Sequence, residues 1–175
     1  MFIEDPGSPI TKLDIERFEK THHVKLDDEH RDFLLEFNGG SPYPNAFDAS
    51  SGVGVVISRI FSLFYHALGS LDGYCSEPDW KNALKKGYIQ IADDLAGQRI
   101  IISTKGSTAG AIYISIDGDL YLIAKSFNDL LRQAESPVGV VELPLYHDEW
   151  MRLAAEKVAS GKAGIYQVPA ETLSA

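Results

Sequence analysis

The dipeptide Asp117-Gly118 constrains the fold of this chain more than any other local feature. It separates two apolar segments, residues 111–116 and 119–124, and Asp-Gly is a preferred pair for the type I′ turn that joins adjacent antiparallel strands. A hairpin with a two-residue turn has a defined register, so the expected cross-strand pairs are Ile114 with Tyr121, Ile112 with Ile123, and Tyr113 with Leu122. The sequence therefore predicts an antiparallel sheet that contains residues 111–124.

Two amphipathic helices are predicted near the start of the chain. Thr11 can cap the first, with Asp14 at the capping-box distance, and Asp27 can cap the second. The residues on their apolar faces are Ile15, Phe18 and His22 in the first helix, and His30, Phe33, Leu34 and Phe37 in the second. Asn38-Gly39-Gly40 then ends the second helix, because Gly adopts the left-handed backbone conformation freely and Asn tolerates it.

The other elements are predicted from composition and turn signals. Residues 41–52 are rich in Ser, Pro, Gly and Asn and are expected to form a loop, as are residues 66–76. Strands are expected over 53–64 and 99–103, and helices over 77–86, after Ser126, and over 148–160.

The fold class predicted from these elements is α+β, a mostly antiparallel sheet with helices packed around it. The chain has 175 residues, 45% of them apolar and 23% charged, which suits one globular domain with a buried core. We expect residues 1–135 to form the domain. Residues 136–175 are expected to form a C-terminal extension with one helix, packed on the same domain.

Several features favour a cytoplasmic location. No apolar run approaches about 18 residues, so no transmembrane helix and no membrane partner are expected. Residues 1–9 carry Glu4 and Asp5 and lack the basic flank and apolar stretch of a secretory signal. The single cysteine, Cys75, cannot form an internal disulfide, which fits a reducing compartment.

The net charge of −9 is concentrated at the start of the chain. Residues 1–50 contain eleven acidic and five basic side chains. Such a field repels nucleic acid and attracts basic partners, so no nucleic acid is expected as a partner. The alternative explanation is that the acidic residues only maintain solubility.

Three groups of residues are candidates for partner binding: Asn38, Gly39 and Gly40; Asp93, Asp94 and Gly97; and Asp117. The first group also makes a good helix end, and the second makes an ordinary turn before a strand. A helix end can serve binding as well, if it directs the loop that follows towards a partner.

No catalytic residue, metal ligand or cofactor is predicted. His22, His23 and His30 near Asp28 raise the alternative of a zinc site, but His22 and His30 lie on apolar helix faces, which favours structural roles. The segment 106–110 is rich in Gly but lacks the Lys-Ser/Thr ending of a phosphate-binding loop, and a strand follows it. An enzyme using acid–base chemistry at Asp93 or the histidines stays the least favoured alternative.

Four stretches occur in an order that resembles the SUKH superfamily, the Smi/Knr group. They are Ile15-x-x-Phe18-Glu19; Leu26 followed by Phe33-Leu34 and Asn38-Gly39-Gly40; Ile91-Ala92-Asp93-Asp94-x-x-Gly97; and Ala124-x-Ser126-Phe127-x-x-Leu130. The likeness covers about residues 11–132. One departure is that Asp27 stands where the family usually has Pro, although both residues suit a helix start.

The resemblance implies an α+β fold that binds another protein without catalysis. The family includes bacterial immunity proteins that neutralise partner toxins, and fungal cell-wall synthesis regulators. We therefore expect an immunity protein that forms a complex with a toxin, and the acidic excess fits a basic toxin domain such as a nuclease. An intracellular regulatory scaffold is the alternative.

Overall fold

The structure is a computed structural model that describes residues 1–48, 54–64, 69–135, 152, 155, 156 and 158–165. The α-helices are α1 (Lys12–His22), α2 (Asp28–Phe37), α3 (Leu71–Ser76), α4 (Lys81–Lys86) and α5 (Phe127–Arg132). The strands are β1 (Phe2–Glu4), β2 (Ser41–Tyr43), β3 (Ala46–Asp48), β4 (Gly54–Ile60), β5 (Tyr88–Asp94), β6 (Arg99–Ser103), β7 (Ile112–Ile116), β8 (Asp119–Ala124), β9 (Ala134–Glu135) and β10 (Ala163–Ile165). Short 3₁₀ turns occupy Pro78–Trp80 and Gly106–Thr108.

The strands form two sheets. A seven-stranded sheet has the order β8-β7-β6-β5-β4-β3-β9, and a three-stranded sheet has the order β10-β1-β2. All of the strand pairs in the described part of the chain are antiparallel. The predicted α+β class with a mostly antiparallel sheet is therefore confirmed.

The predicted helix ends are confirmed. The hydroxyl of Thr11 accepts a hydrogen bond from the Asp14 amide at 3.3 Å, and the Asp14 carboxylate accepts one from the Thr11 amide at 2.9 Å. Asp27 caps α2 by accepting from the His30 amide at 3.1 Å. Asn38 ends α2 with φ 49°, in the left-handed region. None of the helices in the described ranges has both the length and the apolar character needed to cross a bilayer.

The predicted hairpin is confirmed at its turn and over most of its register. Asp117 and Gly118 have φ values of 52° and 92°, and Ile114 pairs with Tyr121. The expected pairing of Ile112 with Ile123 is wrong, because the register shifts and Ile112 pairs with Ala124. Ile123 and Ala124 are successive residues of β8, and both are buried. Strict alternation would expose one of them, and the bulge turns both side chains away from solvent.

Two segments that composition assigned to loops contain regular structure. Residues 41–52 include β2, which pairs with β1, and β3, which pairs with β9 as well as with the neighbouring β4. Partners distant in sequence, β1 and β9, thus override the local turn signals. Residues 66–76 include α3, whose cap is Ser70. The strand expected over 53–64 is shorter and ends at Ile60.

The C-terminal region lies mostly outside the described residues. This applies to most of the helix predicted over 148–160, of which residues 152, 155, 156, 158 and 159 are described and helical. Beyond it, β10 pairs with β1 and places residues 163–165 beside the first strand. The predicted boundary at residue 135 and the packing of the extension stay predictions.

The main core lies between one face of the large sheet and the helices. It contains buried residues from α1, α2 and α5 together with three residues of β5 and alternate residues of β6 and β7. Phe33 of α2 meets Phe127 of α5 with a ring-centroid distance of 5.1 Å. Trp80 and Ile101 are buried outside this cluster, on the opposite face of the sheet. That outer face is therefore partly covered by the segment that contains α4.

Candidate functional site

The side chain of Asn38 joins three parts of the chain. Its Oδ1 accepts a hydrogen bond from the amide of Leu63 at 2.7 Å, and its Nδ2 donates one to the carbonyl of Ser8 at 2.7 Å. Its own amide donates to the carbonyl of Leu34 at 2.8 Å. Asn38 is 5% exposed, so the predicted helix end is also a buried polar junction between α2, the N-terminal segment and the segment after β4.

Gly39 and Gly40 are both required by close packing. A Cβ at Gly39 would lie 2.6 Å from the amide nitrogen of Ser62, and one at Gly40 would lie 2.5 Å from Cγ2 of Ile3. Both residues also have positive φ. Contact of a partner with these buried residues stays a prediction; the accessible neighbour is a cleft of about 290 Å³ that Asn38 and Gly7 help to line.

Asp93 and Asp94 are the last residues of β5 and directly precede a tight turn. The Asp94 carboxylate accepts from the amide of Gln98 at 2.8 Å, and Gly97 has φ 78°. Burial raises the pKa of the Asp93 carboxyl, and the hydrogen bond from the Gln90 side chain opposes that rise. Both acids therefore have intramolecular structural partners, and their predicted contact with a protein partner stays a prediction.

The Asp93–Gly97 turn lies at the end of β5 and Asp117 follows β7, and these two strand ends lie on the same side of the large sheet's strand ladder. Asp93 is opposite Arg99 on β6, and Arg99 is opposite Ser115, which is two residues before Asp117. The Asn38 group lies on the other side of β4, where Gly40 bridges Ile60, which is opposite Ala92. The Asp93 turn therefore lies between the other two predicted groups along the row of paired residues.

The histidines occupy structural positions. His30 is fully buried and stacks on Phe127 at a centroid distance of 4.8 Å, and burial lowers its pKa to about 3. His22 Nε2 lies 2.8 Å from the Asp72 carboxylate. Within the described residues, no group of three or more His, Cys, Asp or Glu side chains could hold a metal ion. Burial raises the pKa of the Cys75 thiol to about 12, which leaves it protonated and unreactive at neutral pH.

An acidic row runs along the exposed side of α2. Asp28, Asp32 and Glu36 are all exposed and are spaced four residues apart, so they lie on one side of the helix at intervals of about 6 Å. Within the described part of the chain, none of the three carboxylates forms an ion pair. The acidic excess of the first 50 residues is therefore in part a linear, uncompensated surface feature.

A groove of about 260 Å³ lies on the outer face of the sheet, between α4 and β8. Ile101 and Ser115 line its floor, Trp80 and Lys86 line one side, and Leu120 lines the other. The Arg99 guanidinium lies 5.2 Å from the centre of the Trp80 ring and also borders the groove. The groove therefore combines apolar walls with two cationic groups and the carboxylate of Asp79.

Sequence reasoning missed this groove because the net charge of the chain is strongly negative. The signal was a local basic cluster, since three of the six residues of α4 are lysines (Lys81, Lys85 and Lys86) and all three are exposed. Lys105 adds to it by donating to the carbonyl of Lys85 at 3.2 Å. The molecule therefore carries an acidic surface on α2 and a basic one around α4.

The acidic row and the groove have the properties of binding surfaces. Of the described residues that line the groove, none is a histidine or a cysteine, so Ser115 has no imidazole base there. The segment 106–108 is a 3₁₀ turn between strands, and it lacks the long helix whose N-terminus would bind phosphate. The structure has an apolar groove bordered by Lys86, Arg99 and Asp79, and a separate acidic helix face.

A comparison with protein families finds one family whose model matches most of the chain. The model of the SMI1 / KNR4 family (SUKH-1) matches residues 9–133, which span the segment from α1 to α5. No curated protein matches the chain. The matched range contains the acidic row, the Asn38 junction and the groove.

Proposed function

The chain belongs to the SMI1/KNR4 family (SUKH-1), and from this premise we propose that it is a non-enzymatic protein-binding module, an immunity protein that neutralises a partner toxin by forming a complex. The family supports a binding role in general. The immunity role and the chemistry of the partner are our proposal.

The acidic row of α2 is the observation that carries the proposal. Asp28, Asp32 and Glu36 present three carboxylates on one side of a rigid helix, without an internal cation among the described residues to neutralise them. A nuclease-type toxin domain is basic, because it binds a polyanion. Complementary charge accelerates association and selects a basic partner over an acidic one.

The expected contribution of the row can be estimated from Coulomb's law. A carboxylate about 6 Å from a cation in water contributes about 0.7 kcal/mol. Removing two carboxylates should therefore slow association by about tenfold at low ionic strength, since about 1.4 kcal/mol corresponds to a factor of ten. The effect should shrink at high salt, because exposed charges are screened.

The test is complex formation with a basic toxin domain encoded beside this protein. We expect the two proteins to co-purify with fixed stoichiometry and the toxin to lose activity. The double variant Asp32→Asn/Glu36→Gln should slow association, whereas the matched control Glu16→Gln/Glu77→Gln, which makes the same change of net charge at exposed sites elsewhere, should not. The absence of a complex, or equal effects of the two variants, would contradict the proposal.

The alternative function is an intracellular regulatory scaffold of the Smi/Knr type. The groove favours it, because the cations Lys86 and Arg99 outnumber Asp79 in its lining, so two partners of unlike charge could bind at once. Capture of two different host proteins, one lost in Asp32→Asn/Glu36→Gln and the other in Arg99→Gln, would support the scaffold over the immunity protein.

A further inference from the structure

Strand β8 is an edge of the large sheet and pairs only with β7 in the described part of the chain. Its central residues Leu120, Tyr121 and Leu122 are 40%, 41% and 41% exposed. Protected edge strands normally carry charge, proline or a covering segment, and an exposed apolar edge is a template for another strand. This strand therefore has the properties of an interaction surface.

The hairpin register determines which backbone groups of β8 are free to pair. Ile116 and Asp119 close the two-residue turn, and Ile114 is opposite Tyr121. Hydrogen-bonded and non-hydrogen-bonded pairs alternate along an antiparallel ladder. The backbone N–H and C=O groups of Asp119 and Tyr121 therefore form hydrogen bonds with β7. The N–H and C=O groups of Leu120 and Leu122 consequently point away from the sheet.

The two ends of β8 carry opposite charges. Asp117 lies in the turn at one end and Lys125 follows the strand at the other, and both are exposed without an ion pair in the described residues. A strand with opposite charges at its ends is complementary to the same strand turned around. If Tyr121 is paired with Tyr121 of another copy, positions four residues before and four residues after it are opposite each other. The turn that contains Asp117 in one copy then lies beside Lys125 of the other.

We propose that β8 pairs antiparallel with β8 of a second copy of this chain, so that the two seven-stranded sheets become one continuous sheet. In this register Leu120 is opposite Leu122 of the other copy, and each such pair exchanges two backbone hydrogen bonds. The leucines form an apolar row on the outer face, and the two Tyr121 rings meet on the other face. The contact is isologous, as a two-fold dimer requires.

The size of the interface indicates a weak, transient dimer. Six residues of β8 would bury an area at the low end of specific interfaces, below about 1,200 Å², where transient complexes are found. The inference does not depend on the proposed immunity function, since it uses a different face of the molecule from the α2 row.

Analytical ultracentrifugation between about 1 and 500 µM tests the proposal. The mass should rise from 19.2 kDa towards twice that value with increasing concentration. Leu122→Lys should weaken the dimer by at least tenfold, because it puts a charge on the apolar row. The control Leu95→Lys makes the same change at a leucine that is 69% exposed in the turn after β5, and it should leave the dimer intact.

Amide exchange by NMR gives an independent readout. The Tyr121 amide should be protected at all concentrations, whereas the Leu120 and Leu122 amides should become protected only where the dimer forms. Lys125→Glu should weaken the dimer more at low than at high salt. A monomer at every concentration, a dimer insensitive to Leu122→Lys or Lys125→Glu, or protection of the Leu120 and Leu122 amides in the dilute monomer would each overturn the proposal.

Discussion

Replacing Asn38 tests whether the family motif is a structural junction. The residue combines a left-handed backbone, with φ 49°, and a buried amide that bonds to the Leu63 amide and the Ser8 carbonyl. Asn38→Gly keeps the backbone conformation at no steric cost but removes both side-chain hydrogen bonds. Asn38→Ala removes the same hydrogen bonds and adds the cost of the left-handed conformation.

The buried hydrogen bonds and the left-handed backbone make different contributions to the free energy of unfolding. Leaving the buried Leu63 amide without an acceptor costs about 1–3 kcal/mol, so Asn38→Gly should lower the free energy of unfolding by about that amount. The left-handed backbone should add about 1 kcal/mol, so Asn38→Ala should cost about 2–4 kcal/mol. Asp117 is a matched control, since it has φ 52° but is exposed and has no buried hydrogen bond.

Urea denaturation of the four variants separates these terms. Asp117→Gly should be close to the parent protein, and Asp117→Ala should cost only about 1 kcal/mol. The difference between Asn38→Gly and Asp117→Gly then measures the buried hydrogen bonds. If Asn38→Gly stays within about 0.5 kcal/mol of the parent, the side chain does not hold the junction and our reasoning is refuted.

Two further predictions concern the same region of the core. Gly39→Ala should destabilise the fold by about 2–4 kcal/mol in urea denaturation, because its φ is 88° and its Cβ would lie 2.6 Å from a backbone nitrogen; an unchanged midpoint would contradict the required close packing. The pKa of His30 is lowered to about 3, so the unfolded state takes up the proton first as the pH drops below about 6.5. The free energy of unfolding should therefore fall by up to about 1.4 kcal/mol per pH unit. In His30→Phe that slope should flatten between pH 6.5 and pH 4, and an unaltered slope would show that other groups cause it.

The elements with strong local signals were predictable from sequence. Thr11 with Asp14, Asp27, and Asn38 set the ends of α1 and α2, because caps act through backbone groups only three or four residues away. Asp117-Gly118 likewise determined the hairpin turn. The bulge at Ile123 was not predictable, because it depends on what the sheet face buries and not on the turn.

The elements that depend on distant partners were missed. β2 contains turn-forming residues and pairs with β1, and β3 pairs with β9 as well as with the adjacent β4. The short helix α3 packs against other elements and shows no long periodic pattern. The candidate functional residues also include some that the sequence predicted and some that it did not. The sequence predicted the acidic excess, but it could not reveal that Trp80, Arg99 and Leu120 line one groove.

The amino-acid sequence by itself determined the α+β class, the helix ends, the hairpin turn and the family resemblance, because each depends on residue type at short spacing. Only the tertiary structure decided that Asn38 is a buried junction, that Trp80, Arg99 and Leu120 line one groove, and that β8 is an apolar edge. Each of these properties depends on which segments meet across the fold. Burial and pairing are properties of the packed chain, and local residue patterns do not specify them.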